Sequence, residues 1–245
     1  MKPEIVQHQA QNHAIHDPQW LDPLPPWLFD PGALRARKLI TGSGAGRKPA
    51  WFFQLAGKTL VLRHYWRGGL VARFVSDSYL WTGLDRTRPF REWRLLACLR
   101  ARGLPVPAPV AARALRHGAL YRADLVTVAI PDTIPLDQRL RHTEIGTELW
   151  KHIGATIGRF HAAGACHADL NVRNILLDTE DNPWLIDWDQ GGLRRPDPAW
   201  QRSNLDRLRR SLDKDPVLAE AAGHGWEAFL CGHASTRNAP TVLPR

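Results

Sequence analysis

"CHADLNVRNIL", Cys166–Leu176, crowds a histidine, an aspartate and two asparagines against an aliphatic ending. The ending continues as "NILL", which reads as a short buried strand. After the turn "DTEDNP" (178–183), "WLIDWD" reads as a second strand with Asp187 near its end. If the two strands pair, the chain returns Asp187 beside Asn174. A carboxylate and an amide oxygen there suit Mg²⁺, which takes a few hard oxygen ligands together with phosphate oxygens. Asp169, in the preceding loop, is then placed to orient a substrate hydroxyl and accept its proton as phosphoryl transfer proceeds. Singly, each residue has a plainer role as a turn former or backbone cap. The three together, after an amphipathic helix and across a hairpin, favour chemistry. His167 is expected to brace the loop and not to react.

Working outward, "EIGTELWKHIGATIGRFHAAG" (144–164) sets Ile145, Leu149, Ile153, Ile157 and Phe160 along one helical stripe that stops at Gly164. Later, "NLDRLRRSL" and "GWEAFLCGHA" read as helices; in the first, Leu205, Leu208 and Leu212 share a core-facing side ringed by Arg207, Arg209 and Arg210. The earlier half differs. "KLIT", "AWFFQL" and "LVLRHY" read as strands joined by the turns "GSGAGRKP" and "GKT". "TRPFREWRLLACLRARG" places Phe90, Trp93, Leu95, Leu96 and Leu99 at helical spacing, and Gly103 ends it. "LPVPAPVAAR" must be extended, because its prolines exclude helix. "ALYRADLVTVAI" adds one or two strands before the break "PDTIP". The expected fold class is therefore α+β. An irregular arm (1–30) docks Trp20, Trp27 and Phe29 on the body. A lobe of antiparallel sheet with one helix (31–130) follows, and then a mainly helical lobe (131–245), the join near "VAIPDTIPL" being a natural ligand cleft. The arm's His8, His13 and His16 are expected to be solvated.

Composition sets outer limits. The 245 residues suffice for a sizeable core, and 44% hydrophobic with 23% charged residues is ordinary for a globular chain. A net charge of +9 points to an anionic partner, although an arginine-rich composition alone produces the same charge. The three cysteines, Cys98, Cys166 and Cys231, form no Cys-x-x-Cys pair, so neither a zinc site nor a disulfide framework is expected, and a reducing compartment fits best. No apolar run approaches the length of a membrane span. No nucleic-acid recognition motif accompanies the positive charge.

"HADLNVRN" and "IDWD" together resemble the catalytic loop and metal-binding segment of the protein-kinase-like fold. Trp-Asp stands where protein kinases carry Phe-Gly, which is closer to aminoglycoside, choline and lipopolysaccharide core kinases. The resemblance implies a bilobal fold, ATP and Mg²⁺ as cofactors, Asp169 as catalytic residue, and Asn174 and Asp187 as metal ligands. It also implies a nucleotide clamp in the first lobe. There "TGSGAGR" supplies Gly42, Gly44 and Gly46, a G-x-G-x-G one residue short of the protein-kinase pattern. In "LVLRHY" the family's lysine position falls on Arg63, a departure that keeps the positive charge but changes its shape. Glu92 is the expected partner holding that cation, and backbone from Thr127 to Ile130 would meet the purine.

"LRHYWRGGLVARF", "TRPFREWRLL", "GLPVPAPVAAR" and "YRADLVTVAIP" narrow the resemblance to the 3-deoxy-D-manno-octulosonic acid (Kdo) kinases of the lipopolysaccharide core kinase family. It runs over most of the chain from about Trp27. It implies transfer of the ATP γ-phosphate to the 4-hydroxyl of Kdo on a Kdo–lipid A precursor. The enzyme would work peripherally at the cytoplasmic face of the bacterial inner membrane, where basic charge meets anionic lipid. Arg67 and Arg73, flanking a Gly-Gly bend, are placed to contact the sugar carboxylate or lipid phosphates, or else form a solvated basic turn. Three alternatives stay open: a lipopolysaccharide heptose kinase, an aminoglycoside- or choline-type small-molecule kinase, and a catalytically inactive nucleotide-binding scaffold suggested by Arg63.

Overall fold

The computed structural model describes residues 4–44, 50–66 and 77–236. The chain divides into two units, Met1–Cys98 with Pro107–Ala129, and Leu99–Val106 with Ile130–Arg245.

The first unit opens with the antiparallel hairpin β1 (Ile5–Gln9) and β2 (Asn12–His16), His8 standing opposite His13. The expectation of an irregular arm with solvated histidines is corrected here in part, for His8 is exposed as expected. The arm's hydrogen-bonding edge is used, because β2 pairs along the sheet, and His16 is fully buried. Helix α1 (Pro31–Ala36) follows, capped by Asp30, whose carboxylate accepts the Gly32 N–H. Then come β3 (Ile40–Ser43), β4 (Trp51–Leu55), β5 (Lys58–His64) and β6 (Tyr79–Leu80). Helix α2 (Arg88–Ala101) precedes β7 (Pro109–His117) and β8 (Leu120–Val128). Among the described residues these strands form one eight-stranded sheet in the order β1-β2-β7-β8-β5-β4-β3, with β6 added beside β8, and every pairing is antiparallel.

Alternation along the strands turns Phe53, Leu60, Leu62 and Val126 to one buried face. Leu28, Phe29 and Leu34 cover it, with Trp20 and Trp27 packed alongside, as the apolar residues of the expected arm require. Each such side chain withdrawn from water stabilises by about 1.5–3 kcal/mol. On α2, Phe90, Trp93, Leu96 and Leu99 are buried. The helix terminates where Gly103 adopts φ +68 and the Leu104 N–H returns to the Leu99 carbonyl at 3.1 Å.

The second unit contains β9 (Ile134–Pro135), α3 (Leu136–His142), α4 (Thr147–Ala162) and β10 (Ala165–Cys166). After these come β11 (Ile175–Leu177), β12 (Pro183–Leu185), β13 (Gly192–Leu193), α5 (Pro198–Leu212) and α6 (Pro216–Ser235). Two small sheets, β12-β11-β9 and β10-β13, lie among the helices. Helix α3 begins directly after the stretch read as a break, where no element was expected, and α6 begins nine residues before the predicted "GWEAFL", at Pro216. Asp197-Pro198 and Asp215-Pro216 start α5 and α6 alike. The aspartate accepts exposed N–H groups of the first turn, and proline occupies the first helical position, where no N–H is needed.

Helices α4 and α6 pack closely because glycine backbone meets backbone. A Cβ at Gly154 would overlap the Phe229 carbonyl, and one at Gly232 the Lys151 carbonyl. Gly223, on the same α6, has open space around it. Gly232→Ala should therefore destabilise by about 1–3 kcal/mol through overpacking, whereas Gly223→Ala should stabilise by roughly 0.5–1 kcal/mol through helix propensity. Thermal melting of the two variants checks the opposite signs.

Candidate active site

In the first unit, β5 carries Arg63 and α2 carries Glu92. Glu92 is only 3% exposed, so its charge must be compensated inside the protein. One carboxylate oxygen, Oε1, accepts from Arg63 Nη2 at 2.5 Å; the other, Oε2, accepts the Tyr65 hydroxyl at 2.5 Å. The Arg63 guanidinium also lies over the Tyr65 ring, 4.8 Å from its centroid. The structure thus brings Arg63 and Glu92 together across 29 positions of sequence. Tyr65, two residues beyond Arg63, was not singled out by the sequence, although strand alternation sends its side chain to the same face.

Gly42 is a strand residue opposite Phe52, after a register shift between Ile40 and Gly42, and the Gly44 N–H donates to the Ala50 carbonyl at 2.8 Å. Gly46 lies outside the described residues, as do Arg67 and Arg73. Two of the amides expected to face a purine are already engaged, Val128 N–H with the Ala108 carbonyl and Ala129 N–H with the Thr59 carbonyl.

In the second unit, β11 and β12 pair with Ile175 opposite Leu185, Leu176 opposite Trp184 and Leu177 opposite Pro183. The Ile186 N–H then donates to the Asn174 carbonyl at 3.0 Å, which sets Asn174 next to the residue preceding Asp187. The strand ends sooner than "WLIDWD" suggests, because Asp187 adopts φ +60, a left-handed conformation that aspartate tolerates better than most residues. Trp188 anchors the turn from below. It is fully buried, its indole N–H donates to the Leu185 carbonyl, and its ring lies 5.2 Å from that of Phe160 and 4.6 Å from that of His167.

His167 ties this hairpin to the loop. Its Nδ1 accepts the Asp169 N–H at 3.1 Å, so Nε2 carries the proton and donates to the Ile186 carbonyl at 2.9 Å. Burial holds the imidazole below its ordinary pKa of 6.5; the Ile186 carbonyl and the charges of Asp187 and Asp169 pull upward without overcoming it. The brace expected of His167 is this pair of backbone bonds.

Asp169 itself is largely exposed. Asn171 Nδ2 donates to its Oδ2 at 3.1 Å, and Arg207 Nη1 stands 3.4 Å from its Oδ1. Asn174 Nδ2 donates to the Asp169 carbonyl at 2.9 Å, so its amide oxygen is left to face elsewhere. Helix α5 secures the loop from outside: the His167 N–H reaches Asn204 Oδ1 at 3.3 Å, and the Val172 N–H donates to Ser211 Oγ at 3.0 Å. Asn171, Asn204, Arg207 and Ser211 were not assigned roles from sequence. Asn171 sat visibly inside the motif, whereas the α5 residues are recognisable only from their spacing of three and four.

The donor set fits one divalent cation sparingly. Among the described residues no group of three or more His, Cys, Asp or Glu could hold a metal. The hairpin sets Asn174, with its amide oxygen, next to the residue preceding Asp187, with its carboxylate, and both are hard oxygens of the kind Mg²⁺ takes. A largely antiparallel sheet in one unit, a mainly helical second unit, a buried Arg–Glu pair and a braced Asp–Asn loop followed by a short hairpin define a protein-kinase-like phosphotransferase acting on a hydroxyl group. Residues 33–232 match the lipopolysaccharide kinase (Kdo/WaaP) family, and the chain belongs to that family. A 3-deoxy-D-manno-octulosonic acid kinase of Vibrio vulnificus (strain YJ016) is 38% identical over 234 residues, which cover 94% of this chain and 99% of that protein. The protein of the same name in Stenotrophomonas maltophilia (strain K279a) is 46% identical over 187 residues, 76% of this chain and 74% of that protein. Among solved structures, WaaP in complex with acyl carrier protein superposes with a TM-score of 0.51 at 16% identity, covering 89% of this chain and 94% of that one, a likeness of fold.

The lowered pKa of His167 gives a signed expectation. Its neutral form is favoured on folding, so its contribution is complete above the unfolded value of 6.5 and is lost as pH falls from there through the lower folded value. The stability gap between the wild type and His167→Gln should narrow on going from pH about 8 to pH about 5. Denaturant melts at several pH values check this; a gap that widens on acidification contradicts a neutral buried His167.

Proposed function

We propose that this enzyme transfers the γ-phosphate of ATP to the 4-hydroxyl of Kdo on a Kdo–lipid A precursor. The observation that carries the reading is the braced loop, in which His167 and Asn174 fix the backbone of Asp169 while its carboxylate remains exposed. Asp169 orients the acceptor hydroxyl and takes its proton at a carboxylate oxygen as transfer proceeds. Asn171 donates to one oxygen of that carboxylate and the Arg207 cation stands beside the other.

Asn174 and Asp187 hold Mg²⁺ when nucleotide is bound. The ion supplies neutralisation of phosphate charge. Arg63, positioned by Glu92 and Tyr65, binds nucleotide phosphate through its planar fork in place of the lysine point charge usual in the wider fold. The Gly44 N–H, engaged with the Ala50 carbonyl, is not among the groups offered to those phosphates, so Arg63 carries the first unit's contact with them. Relatives that bear the Kdo kinase name over nearly their whole length support the choice of acceptor. A net charge of +9 supports work against an anionic membrane surface at the cytoplasmic face of the inner membrane. No described helix is long and apolar enough to cross a membrane.

Incubation with γ-labelled ATP and Mg²⁺ should label the Kdo–lipid A precursor and neither the Kdo-free lipid nor aminoglycosides; label on an aminoglycoside overturns the acceptor assignment. Asp169→Asn should lower kcat by about 10²–10⁴-fold while nucleotide binding persists. Asp187→Ala should weaken Mg²⁺-dependent nucleotide binding by at least about tenfold, since even outer partners of a bound metal are worth that much.

A further inference from the structure

Beside Asp169 the second unit opens into a cavity of about 450 Å³, within the size range of pockets that take small molecules. Its lining is strongly basic. Arg141, Arg173, Arg207, Arg210 and Lys214 face it, against the carboxylates of Asp169 and Asp215 alone. Three of the five cations already have partners: Arg141 is 2.8 Å from Asp215, Arg207 is 3.4 Å from Asp169, and Arg173 is 3.4 Å from Asp137. Arg210 and Lys214 form no ion pair with any described residue. Both are exposed, one on the last turn of α5 and the other two residues beyond its end.

Two uncompensated cations concentrated in a concave wall, beside the carboxylate that would receive the acceptor's proton, make a site for an anionic molecule. A cationic acceptor would meet repulsion there. We infer that this cavity seats the negatively charged substituents of the acceptor, with Arg210 and Lys214 selecting a carboxylated or phosphorylated sugar. The inference rests on the reading of Asp169 as the base, and it moves acceptor recognition to α5 and the turn that follows it. The opening of α6 borders the same cavity through Asp215 and Leu218, so the turn holding Lys214 is clamped at both ends, by α5 and by the Asp215 cap. The backbone carrying both cations is thereby tied to the Asp169 loop, whose Val172 N–H is held by Ser211 of α5.

The test compares wild type with the Arg210→Ala/Lys214→Ala double variant and with Arg202→Ala, an exposed α5 cation that does not line the cavity. Binding of the Kdo–lipid A precursor in detergent micelles without nucleotide, and steady-state transfer, are measured on the full chain. Losing two charge-assisted hydrogen bonds should raise both the dissociation constant and the acceptor KM by roughly tenfold to a hundredfold. The KM for ATP should hold for the double variant, and every parameter should hold for Arg202→Ala. Repetition with the Kdo carboxylate methyl-esterified, and separately with the lipid phosphates removed, shows which anion the cavity takes. The modification that removes the true ligand abolishes the difference between wild type and double variant. Wild-type affinity in the double variant, or equal loss in Arg202→Ala, overturns the inference and leaves the kinase reading standing. Binding that depends on Arg210 and Lys214 without transfer of label upholds the cavity and overturns the kinase reading. Absence of binding by the wild type overturns both.

Discussion

One imidazole holds the second unit's chemistry in register. His167 uses both ring nitrogens on backbone, accepting from Asp169 and donating to Ile186. Its partners belong to a polar loop and to the residue just past the far strand of a hairpin, 19 positions from His167 at the second contact. Neither segment carries regular structure long enough to stiffen itself, since β11 and β12 have three residues each. Without the ring, the Asp169 N–H and the Ile186 carbonyl would lose buried partners, at a cost of about 1–3 kcal/mol each. The bridge requires a neutral histidine, and the apolar surroundings that exclude water from it, above all Trp188, enforce that state.

This arrangement explains the aromatic residue in "IDWD". Trp188 is not a surface element of the site but its floor, packed on Phe160 of α4 and on the His167 ring. Asp187 can leave the strand in a left-handed turn and still be exposed because its neighbour is pinned. The strained residue and its buried anchor are adjacent, so the deviation costs little disorder. In the first unit the corresponding problem is electrostatic. Glu92 is buried, and two donors, Arg63 on β5 and Tyr65 just beyond its end, share its two oxygens. A lysine could supply charge at Arg63 but not the planar guanidinium that stands over the Tyr65 ring while donating to Glu92.

Much of this was legible in the chain. The alternation of "AWFFQL" and "LVLRHY", the stripe of α4 and the pairing of "NILL" with "WLI" follow from periodicity and turn spacing, and the Arg63–Glu92 contact from the resemblance to the protein-kinase-like fold. What escaped depended on context that periodicity does not carry. The hairpin at 5–16 is polar and rich in histidine and glutamine, so nothing in its own pattern announces a strand; it forms because β7 offers an unpaired edge. Helix α3 is seven residues long, too short for a stripe to stand out beside the prolines before it. The Asp-Pro starts of α1, α5 and α6 were readable as cap followed by first helical residue. The pairs at Asp17-Pro18 and Asp22-Pro23 begin no helix, so the signal is permissive and not decisive. Asn204, Arg207 and Ser211 escaped because residues 37 and more positions from the loop they serve have no local signature.

Those three residues share one side of α5, and this limits how the chain can change in length. Each helical residue contributes about 100° of rotation and about 1.5 Å of rise. Removing one residue between Asn204 and Ser211 would turn one set of contacts away from the loop while leaving the other in place. Asn204, Arg207 and Ser211 could not then all reach His167, Asp169 and Val172. A change in the same helix before Asn204 would leave the three contacts in phase. Length variation among sequences that keep this loop should therefore gather in the segment leading into α5, with the span from Asn204 to Ser211 held to a constant count.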